Sequence, residues 1–324
     1  MKILITAFAL LFSSLISATP LNKIVVFGDS LSDNGNLHEY MKRQFPSDPP
    51  YFQGRFSNGP VWIELLTSGY FPDDLPPKSP DDPPQHHLQN YAFGGAGVLD
   101  EEEDDPESAL FTLRREIDSY LLAHHDRADE NSLYVVWIGS NNYLAIPEDS
   151  EKALNTVLGG IQRDIKRLIE KGARNILVVN LPDLGKTPAA YDFNETERLS
   201  YLSEEHNRRL RNNVSELERE YPDVRWIYLD VGEIFHDAIT SPEKYGLFAS
   251  KIASTCYDVE TTDEPSSQTM LKMASKVQAL HHGEGKDPCE GYLFFDPVHP
   301  TALAHQIMAD ISKTLLDEKG VEFG

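Results

Sequence analysis

The fold of this chain is decided by residues 23–36, which read KIVVFGDSLSDNGN. The run Lys23–Phe27 is apolar and rich in β-branched residues, as expected of a strand that is buried on both faces of a parallel sheet. Gly28, Asp29 and Ser30 then end the strand in a turn of small residues. Because open α/β sheets bind ligands beyond the carboxyl ends of their strands, the Ser30 hydroxyl is predicted to lie where a substrate would bind.

Four more segments of the same kind predict a five-stranded sheet. They are Leu88–Phe93, Ser132–Ile138, Asn175–Asn180 and Val224–Leu229. Apolar stripes at helical spacing lie between them. These stripes cover residues 110–121, 154–168 and 199–217, and a last helix is predicted over residues 301–316. Strands that alternate with helices predict an α/β fold, in which a mostly parallel sheet lies between two layers of helices.

The charge balance limits the classes of partner. Lys and Arg number 29 while Asp and Glu number 52, which gives a net charge of −23. This balance argues against nucleic acid, because its phosphates are bound by Lys and Arg. It also argues against steady electrostatic attachment to an anionic membrane. An acidic protein can still contact a lipid through a small apolar patch.

The first 18 residues have the pattern of a secretory signal. Met1 and Lys2 precede a mostly apolar run, Ile3–Ile16, and small residues follow, so cleavage is predicted after Ala18. The apolar run is too short to span a bilayer comfortably. We therefore expect an exported protein with one domain over residues 19–324 and no stable insertion in a membrane.

Cys256 and Cys289 are the two cysteines of the chain. In an oxidising compartment an even number of cysteines indicates a disulfide, and two separate buried thiols are the alternative. The pair brackets an insertion loop at about residues 254–290, which has few strand signals and a polar middle. The loop ends shortly before Asp296, so it is predicted either to act as a lid over the site or simply to brace the surface.

Four short blocks carry residue types suited to acyl transfer. They read GDSL at residues 28–31, NYAFGGAG at 90–97, GSNN at 139–142 and DPVH at 296–299. Three of these blocks directly follow predicted strands. Because the carboxyl ends of parallel strands meet at one edge of a sheet, we expect these blocks to be neighbours in the folded protein.

Each block supplies a different part of an acyl-transfer site. Ser30 would attack a carbonyl carbon, and His299 would take the serine proton and return it to the leaving group. Asp296 would orient the other imidazole nitrogen across a tight turn. The Asn141 side chain, the Ser30 N–H and a glycine N–H from the second block would form an oxyanion hole.

Local structural roles are the alternative for each block taken alone, because glycine clusters and Asn-Asn caps are common. The joint occurrence of the four blocks, in this order and at strand ends, is specific. Asp29 could be mistaken for the triad acid, but it is more simply a residue that forms the turn of Ser30. Adjacent histidines occur at residues 86–87, 124–125 and 281–282 without metal-ligand spacing, so we expect neither a metal nor a cofactor.

In these four blocks the sequence resembles the GDSL family of lipases and esterases, also called SGNH hydrolases. Two further stretches are similar to that family, GRFSNGPVW at residues 54–62 and NLPDLG at residues 180–185. The resemblance extends from about residue 23 to residue 316. It is closest to the branch of secreted bacterial phospholipases A, lysophospholipases and glycerophospholipid–cholesterol acyltransferases.

The resemblance implies a flavodoxin-like, three-layer αβα fold and a set of site residues. Ser30 corresponds to the nucleophile, and Asp296 and His299 complete the triad. Gly95 and Asn141 join the Ser30 amide in the oxyanion hole. Gly94 is an alternative to Gly95, and Asn142 stands where many members of the family carry aspartate.

The expected function is therefore that of a secreted serine hydrolase that cleaves acyl esters of lipids. The acyl group would pass from Ser30 to water or to an alcohol acceptor such as a sterol. One alternative is an esterase of acetylated sugars or other short-chain esters, since the family also contains such enzymes. The other alternative is a binding protein that keeps the fold without catalysis.

Overall fold

The computed structural model describes residues 19–79, 82–99, 111–257 and 288–324. Its centre is a sheet of five strands in which all neighbouring strands run parallel. The strands are β1 (Lys23–Gly28), β2 (Leu88–Asn90), β3 (Ser132–Trp137), β4 (Asn175–Val179) and β5 (Arg225–Leu229). In space they follow the order β2-β1-β3-β4-β5, which is the flavodoxin-like order. The five predicted strands are confirmed.

β2 is shorter than the sequence predicts, because it ends at Asn90 rather than at Phe93. The Asn90 Oδ1 accepts the N–H of Ala92 at 2.9 Å, and its Nδ2 donates to the Ser32 carbonyl at 2.6 Å. This side-chain turn ends the strand and ties it to the loop after β1. The glycines that follow Asn90 consequently lie beside the turn that carries Ser30.

The helices fill the connections between strands and follow the last one. They are α1 (Asn36–Tyr40), α2 (Trp62–Tyr70), α3 (Leu113–Ala123), α4 (Ser140–Leu144), α5 (Ser150–Glu170), α6 (Pro188–Asp192), α7 (Thr196–Glu220), α8 (Val231–Thr240) and α9 (Ala302–Glu318). Short 3₁₀ helices lie at Leu184–Lys186, Pro242–Tyr245 and Ala249–Lys251. The three helices predicted from apolar stripes are confirmed as α3, α5 and α7, and the predicted last helix is confirmed as α9.

The helices form two layers, one on each side of the sheet. From β1 the chain moves outward to β2 and then back across β1 to β3, β4 and β5. Since such crossovers are right-handed, this reversal puts the connecting helices on opposite faces. Accordingly, α2 packs against α9, whereas α5 packs against both α3 and α7. The predicted three-layer α/β fold is confirmed.

The strands form a core that is closed to water. The side chains of Ile24, Val25, Val26 and Phe27 in β1 are fully buried, so both faces of the strand are covered. Burying one such side chain stabilises a fold by about 1.5–3 kcal/mol. β1 is therefore a well-packed support for the turn that follows it.

Two longer helices were not predicted from the sequence, α2 and α8. In α2 the polar residues Glu64 and Thr67 are buried together with Ile63 and Leu66, so the apolar periodicity is blurred. α8 is only ten residues long, and it follows directly after β5. Its two-turn apolar stripe is too short to stand out in the sequence, yet it forms part of the cleft described below.

Parts of the sequence-based organisation lie outside the described residues. These are the predicted signal over residues 1–18 and the interior of the cysteine loop, residues 258–287. The single domain over residues 19–324 and the lid therefore stay predictions. Within the described ranges, no helix has the length and apolar character needed to cross a membrane.

Cys256 and Cys289 form the predicted disulfide, and both residues are buried. The chain next to the bridge pairs with the segment before the DPVH block. The Cys256 N–H donates to the Phe294 carbonyl at 3.0 Å, and the Tyr257 N–H donates to the Phe295 carbonyl at 2.9 Å. The disulfide consequently anchors the ends of the insertion loop beside Asp296.

Candidate active site

The turn after β1 holds Ser30 at the carboxyl edge of the sheet. The Asp29 carboxylate accepts the N–H of Leu31 at 3.0 Å, and the Asp29 carbonyl accepts the N–H groups of Ser32 and Asp33 at 3.0 Å each. Asp29 thus forms the turn, as its position in the sequence indicated. Burial raises the pKa of Asp29 to about 6, although the hydrogen bond from Leu31 and the charge of His299 both act to lower it.

Ser30, His299 and Asp296 form one continuous chain of hydrogen bonds. The Ser30 Oγ lies 2.8 Å from His299 Nε2, although the two residues are 269 positions apart. On the other side of the ring, His299 Nδ1 lies 2.6 Å from Asp296 Oδ2. With the proton on Nδ1 directed to the carboxylate, Nε2 is left to accept the serine hydroxyl proton.

The Asp296 carboxylate is saturated with donors. Its Oδ1 accepts the N–H groups of Val298 at 2.9 Å and of His299 at 2.8 Å, which closes the tight turn of the DPVH block. Its Oδ2 accepts from His299 Nδ1 and also from the Tyr51 hydroxyl, 2.6 Å away. Burial works to raise the pKa of Asp296, but the charge and hydrogen bond of His299 and the other donors lower it below its usual value.

Unused N–H donors line the cleft that holds Ser30. Within the described residues, the backbone N–H groups of Ser30 and Gly95 have no acceptor. The Asn141 Nδ2 uses one of its two hydrogens on the Ala96 carbonyl at 2.8 Å and keeps the other. Ser30, Gly95, Asn141 and His299 all line one cleft.

The neighbouring Gly94 is occupied elsewhere. Its N–H donates to Asp33 Oδ2 at 2.7 Å, and Gly94 is not among the residues that line the cleft. Gly95 has a φ of 80°, which a residue with a side chain adopts only with strain. Of the two glycines that the sequence left open, Gly95 is the one with an available donor.

Asn142 braces the loop that carries Gly95. Its Oδ1 accepts the N–H of Val98 at 2.9 Å, and its Nδ2 donates to the Val98 carbonyl at 2.7 Å. A carboxylate accepts hydrogen bonds but does not donate them, so aspartate at this position could form only one of the two contacts. Asparagine at position 142, where many members of the family carry aspartate, therefore allows both hydrogen bonds to Val98.

Two buried acids, Asp33 and Glu116, fix the backbone around the serine turn. Asp33 accepts N–H groups from both sides of the site: Gly35, Asn36, Leu37 and Gly94. Glu116 of α3 accepts the Gly28 N–H at 2.8 Å. Burial raises the pKa of both groups, and that of Glu116 well above its usual value. Sequence patterns did not single out either residue.

The GRFSNGPVW block packs against His299 and the residues that follow it. The Phe56 ring lies against the His299 ring, with 4.9 Å between the ring centres. The Ser57 hydroxyl donates to the Pro300 carbonyl at 2.9 Å, and Asn58 Oδ1 accepts the N–H of Ala302 at 2.8 Å, at the start of α9. This block therefore contacts and holds the loop of His299, a role that was not predicted from its sequence.

The cleft beside Ser30 has a mainly apolar wall. It measures about 810 Å³, including its opening to solvent. The apolar lining comes from separate parts of the chain: Leu31, Leu144, Pro182, Leu184, Phe235, Ile239, Phe294 and Val298. Asp183 and Lys186 add charged groups. The NLPDLG block and α8 thus contribute to the cleft, and the α8 part was missed because that helix was not predicted.

A parallel α/β sheet that presents a histidine-paired serine among free donors is typical of hydrolases that act through an activated serine. The chain belongs to the GDSL-like lipase/acylhydrolase family, whose model matches residues 24–311. It is accordingly a carboxylic ester hydrolase. The resemblance seen in the four sequence blocks is confirmed.

Three relatives illustrate the range of the family. The chain is 29% identical to the phosphatidylcholine-sterol acyltransferase of Aeromonas hydrophila, over 92% of this chain and 91% of the relative. It is 29% identical to the secreted effector protein SseJ of Salmonella typhimurium, over 91% of this chain and 63% of the relative. It is 26% identical to the thermolabile hemolysin of Vibrio parahaemolyticus, over 90% of this chain and 62% of the relative. The chain thus spans less than two thirds of the last two.

Proposed function

We propose that this protein cleaves acyl esters of lipids through an acyl-enzyme on Ser30. The observation that carries the proposal is the unbroken contact from Ser30 Oγ through His299 to Asp296, at 2.8 Å and 2.6 Å, inside a cleft with an apolar wall. An apolar wall suits a fatty acyl chain, because burying one methylene group is worth about 0.8 kcal/mol.

In the first half of the proposed reaction, the Ser30 Oγ attacks the ester carbonyl carbon. The hydroxyl proton moves to His299 Nε2, and the Asp296 carboxylate stabilises the imidazolium that forms. The carbonyl oxygen becomes an oxyanion within reach of the Ser30 N–H, the Gly95 N–H and the free hydrogen on Asn141 Nδ2. Each such donor is typically worth about 2.7–4 kcal/mol of transition-state stabilisation.

The tetrahedral intermediate then collapses. The bond between carbon and the leaving oxygen breaks, and His299 returns its proton to that oxygen, so an alcohol or lysolipid departs. Water next attacks the acyl-enzyme with His299 as base, and a free acid is released. An alcohol can replace water as acceptor and yield a new ester. A sterol is one candidate, because the Aeromonas hydrophila relative is a phosphatidylcholine-sterol acyltransferase.

Export from the cell is part of the proposal. It rests on the signal pattern of residues 1–18 and on the Cys256–Cys289 disulfide, since disulfides persist in oxidising compartments. The secreted effector among the relatives is in keeping with it. N-terminal sequencing of the protein from culture medium or periplasm tests this point, and a mature chain that starts at Thr19 is expected.

The test of the activity is incubation with defined phospholipids and lysophospholipids, with and without cholesterol, and mass spectrometry of all products. Free fatty acid and lysolipid are expected, and cholesteryl ester would reveal acyl transfer. The Ser30→Ala protein is the control and should yield none of these. Absence of lipid cleavage by a folded wild-type protein would contradict the proposal.

Two further assays of the wild-type protein distinguish the proposed function from its alternatives. Simple esters of increasing chain length distinguish a lipid enzyme from an esterase of acetylated sugars, because the apolar wall should favour the longer chains. A fluorophosphonate probe tests for catalysis as such, since it labels only an activated serine. A folded protein that stays unlabelled would instead favour a binding protein on the same fold.

A further inference from the structure

Tyr51 is a further polar group in contact with the proposed triad. Its hydroxyl donates to Asp296 Oδ2 at 2.6 Å, and the residue is fully buried. The ring is held by edge contacts with Phe295 and Phe56, with ring centres 5.1 Å and 5.8 Å away. Within the described residues, Asp296 is the only hydrogen-bond partner of this hydroxyl. A tyrosine fixed in this way directs its O–H at one carboxylate oxygen.

That oxygen is also the one that orients the histidine. Oδ2 of Asp296 accepts from His299 Nδ1 at 2.6 Å and from Tyr51 at the same distance. A hydrogen bond to a carboxylate stabilises its negative charge and leaves less of that charge to stabilise a neighbouring cation. The tyrosine O–H consequently limits how strongly Asp296 favours protonation of His299.

We propose that Tyr51 is a positioning residue that sets the basicity of His299 through the oxygen of Asp296 that the two share. The inference rests on the catalytic roles proposed above for Ser30, His299 and Asp296. Tyr51 would hold Asp296 in the rotamer that meets the imidazole, and it would keep His299 neutral to a lower pH than the aspartate alone would allow.

Tyr51 acts only as a donor in this arrangement. Burial and the negative charge of Asp296 raise the pKa of Tyr51 well above its usual value, so the phenol keeps its proton throughout the working range. It therefore cannot serve as a base in place of His299. Its effect must reach the serine through Asp296 and the imidazole.

Other ionisable groups near His299 remain in place when Tyr51 is changed. Asp29 of the serine turn and the buried His305 of α9 both interact electrostatically with His299. Asp183 and Lys186 line the same cleft. None of these four groups is a hydrogen-bond partner of Tyr51, so a comparison of variants at position 51 isolates the shared oxygen.

The experiment compares the wild-type protein with Tyr51→Phe, which keeps the ring and removes only the O–H. Without this donor, Asp296 stabilises the imidazolium more strongly. The acidic limb of the kcat/KM profile should then move up by about half a pH unit to one unit. Activity above the limb should fall by less than about tenfold. An NMR titration of the His299 ring should show the same upward shift.

Tyr134→Phe is the matched control. Tyr134 is fully buried and its hydroxyl bonds to Tyr120 and to the Asp129 carbonyl, with no contact to the triad. It should lower the melting temperature without moving the pH limb or the His299 titration. If Tyr51→Phe behaves in the same way, the tyrosine only packs and the inference is wrong.

Site-specific 3-fluorotyrosine at position 51 provides a second test that preserves the packing. Fluorine makes the phenol a stronger donor, so the His299 titration and the pH limb should move down rather than up. A shift in the same direction as Tyr51→Phe, or no shift, would overturn the inference. The NMR titration of His299 needs no catalysis. It therefore tests the role of Tyr51 even if Ser30→Ala stays active and the proposed function is wrong.

Discussion

Asn142 holds both polar groups of the Val98 peptide backbone, with Oδ1 on the N–H at 2.9 Å and Nδ2 on the carbonyl at 2.7 Å. The loop that begins at Gly95 is thereby joined to α4, the helix that carries Asn141. Two donors of the proposed oxyanion hole are thus linked by a residue that does not itself line the cleft. Their geometry is preorganised before an ester binds, as electrostatic stabilisation requires.

Replacing Asn142 by aspartate tests this brace. Asn142→Asp keeps the size of the side chain but sets a carboxylate oxygen against the Val98 carbonyl. We expect a loss of about 1 kcal/mol in unfolding free energy and a fall of roughly tenfold in kcat, because an unmade hydrogen bond at a half-buried site costs about that much. Urea unfolding and steady-state kinetics measure the two effects. Unchanged kcat would mean that the loop of Gly95 does not depend on this side chain.

Ser30→Ala should abolish ester cleavage and fluorophosphonate labelling while the protein remains folded. The loss should be several orders of magnitude, because Ser30 Oγ is the hydroxyl that contacts His299 Nε2, at 2.8 Å, and its removal closes the acyl-enzyme route. Ser32→Ala is the matched control, because Ser32 lies in the same turn and accepts a hydrogen bond from Trp62 Nε1 at 3.0 Å. It should cost stability but keep the labelling. Activity of Ser30→Ala within tenfold of wild type would rule out Ser30 as the nucleophile.

Asn141→Ala should lower kcat by about 10²–10³ with little change in KM, because the donor acts mainly in the transition state. Kinetics on a soluble ester at saturating concentration separate the two constants. The loss should exceed that of Asn142→Asp, whose side chain acts only through the loop. A rise in KM alone would assign Asn141 to substrate binding and require another third donor.

The sheet and the residues of the candidate site could be read from the sequence for identifiable reasons. A strand buried on both faces needs a continuous apolar run, and the run before Ser30 stands out against its polar turn. The ends of parallel strands must meet at one edge, so Ser30, Gly95 and Asn141 could be expected together. His299 and Asp296 were proposed from their residue types and their spacing in the DPVH block, and the family resemblance assigns them the same roles.

Residues that act by packing or from distant loops could not be predicted. Tyr51 follows a proline-rich stretch with no periodic pattern, and only the folded chain brings it to Asp296, 245 residues further along. Glu116 lies on α3 as one acid among many, and its contact with Gly28 depends on the crossover of that helix. The apolar wall from α8 was missed because a ten-residue helix gives a weak apolar stripe.

Protein stability should depend on pH through Asp29. Its pKa is about 6 in the folded protein against 3.8 for the free side chain, so the folded state holds this proton more tightly. The stabilisation from this group is complete below pH 3.8 and is lost as the pH rises through about 6, by an amount on the order of 3 kcal/mol. Asn cannot ionise but can still accept the Leu31 N–H. Asp29→Asn should therefore become more stable relative to wild type as the pH rises from 4 to 7.

Chemical unfolding of wild type and Asp29→Asn across this pH range measures the effect. Other buried acids, such as Asp33 and Glu116, are present in both proteins, so their contributions cancel in the difference. A constant difference between the two proteins would mean that Asp29 ionises in the folded state as it does in the unfolded chain.

The last prediction concerns the length of the acyl chain. Ile239 of α8 is half-buried and lines the cleft, whereas His236 on the same helix is exposed and does not. An indole ring at position 239 is larger than the isoleucine side chain and would occupy space along the apolar wall. Ile239→Trp should therefore lower kcat/KM for a dodecanoyl ester by at least about tenfold, which corresponds to losing the burial of about two methylene groups, while an acetyl ester changes little.

His236→Trp is the matched control, because it adds the same ring to the outer face of α8. It should leave the ratio of the two kcat/KM values unchanged. The two variants, assayed with acetyl and dodecanoyl esters of one leaving alcohol, separate a chain-binding role of the wall from a general disturbance of the helix. An equal loss on both esters in Ile239→Trp would show that the acyl chain lies elsewhere, since a residue that contacts only the far part of a long chain cannot affect the acetyl group.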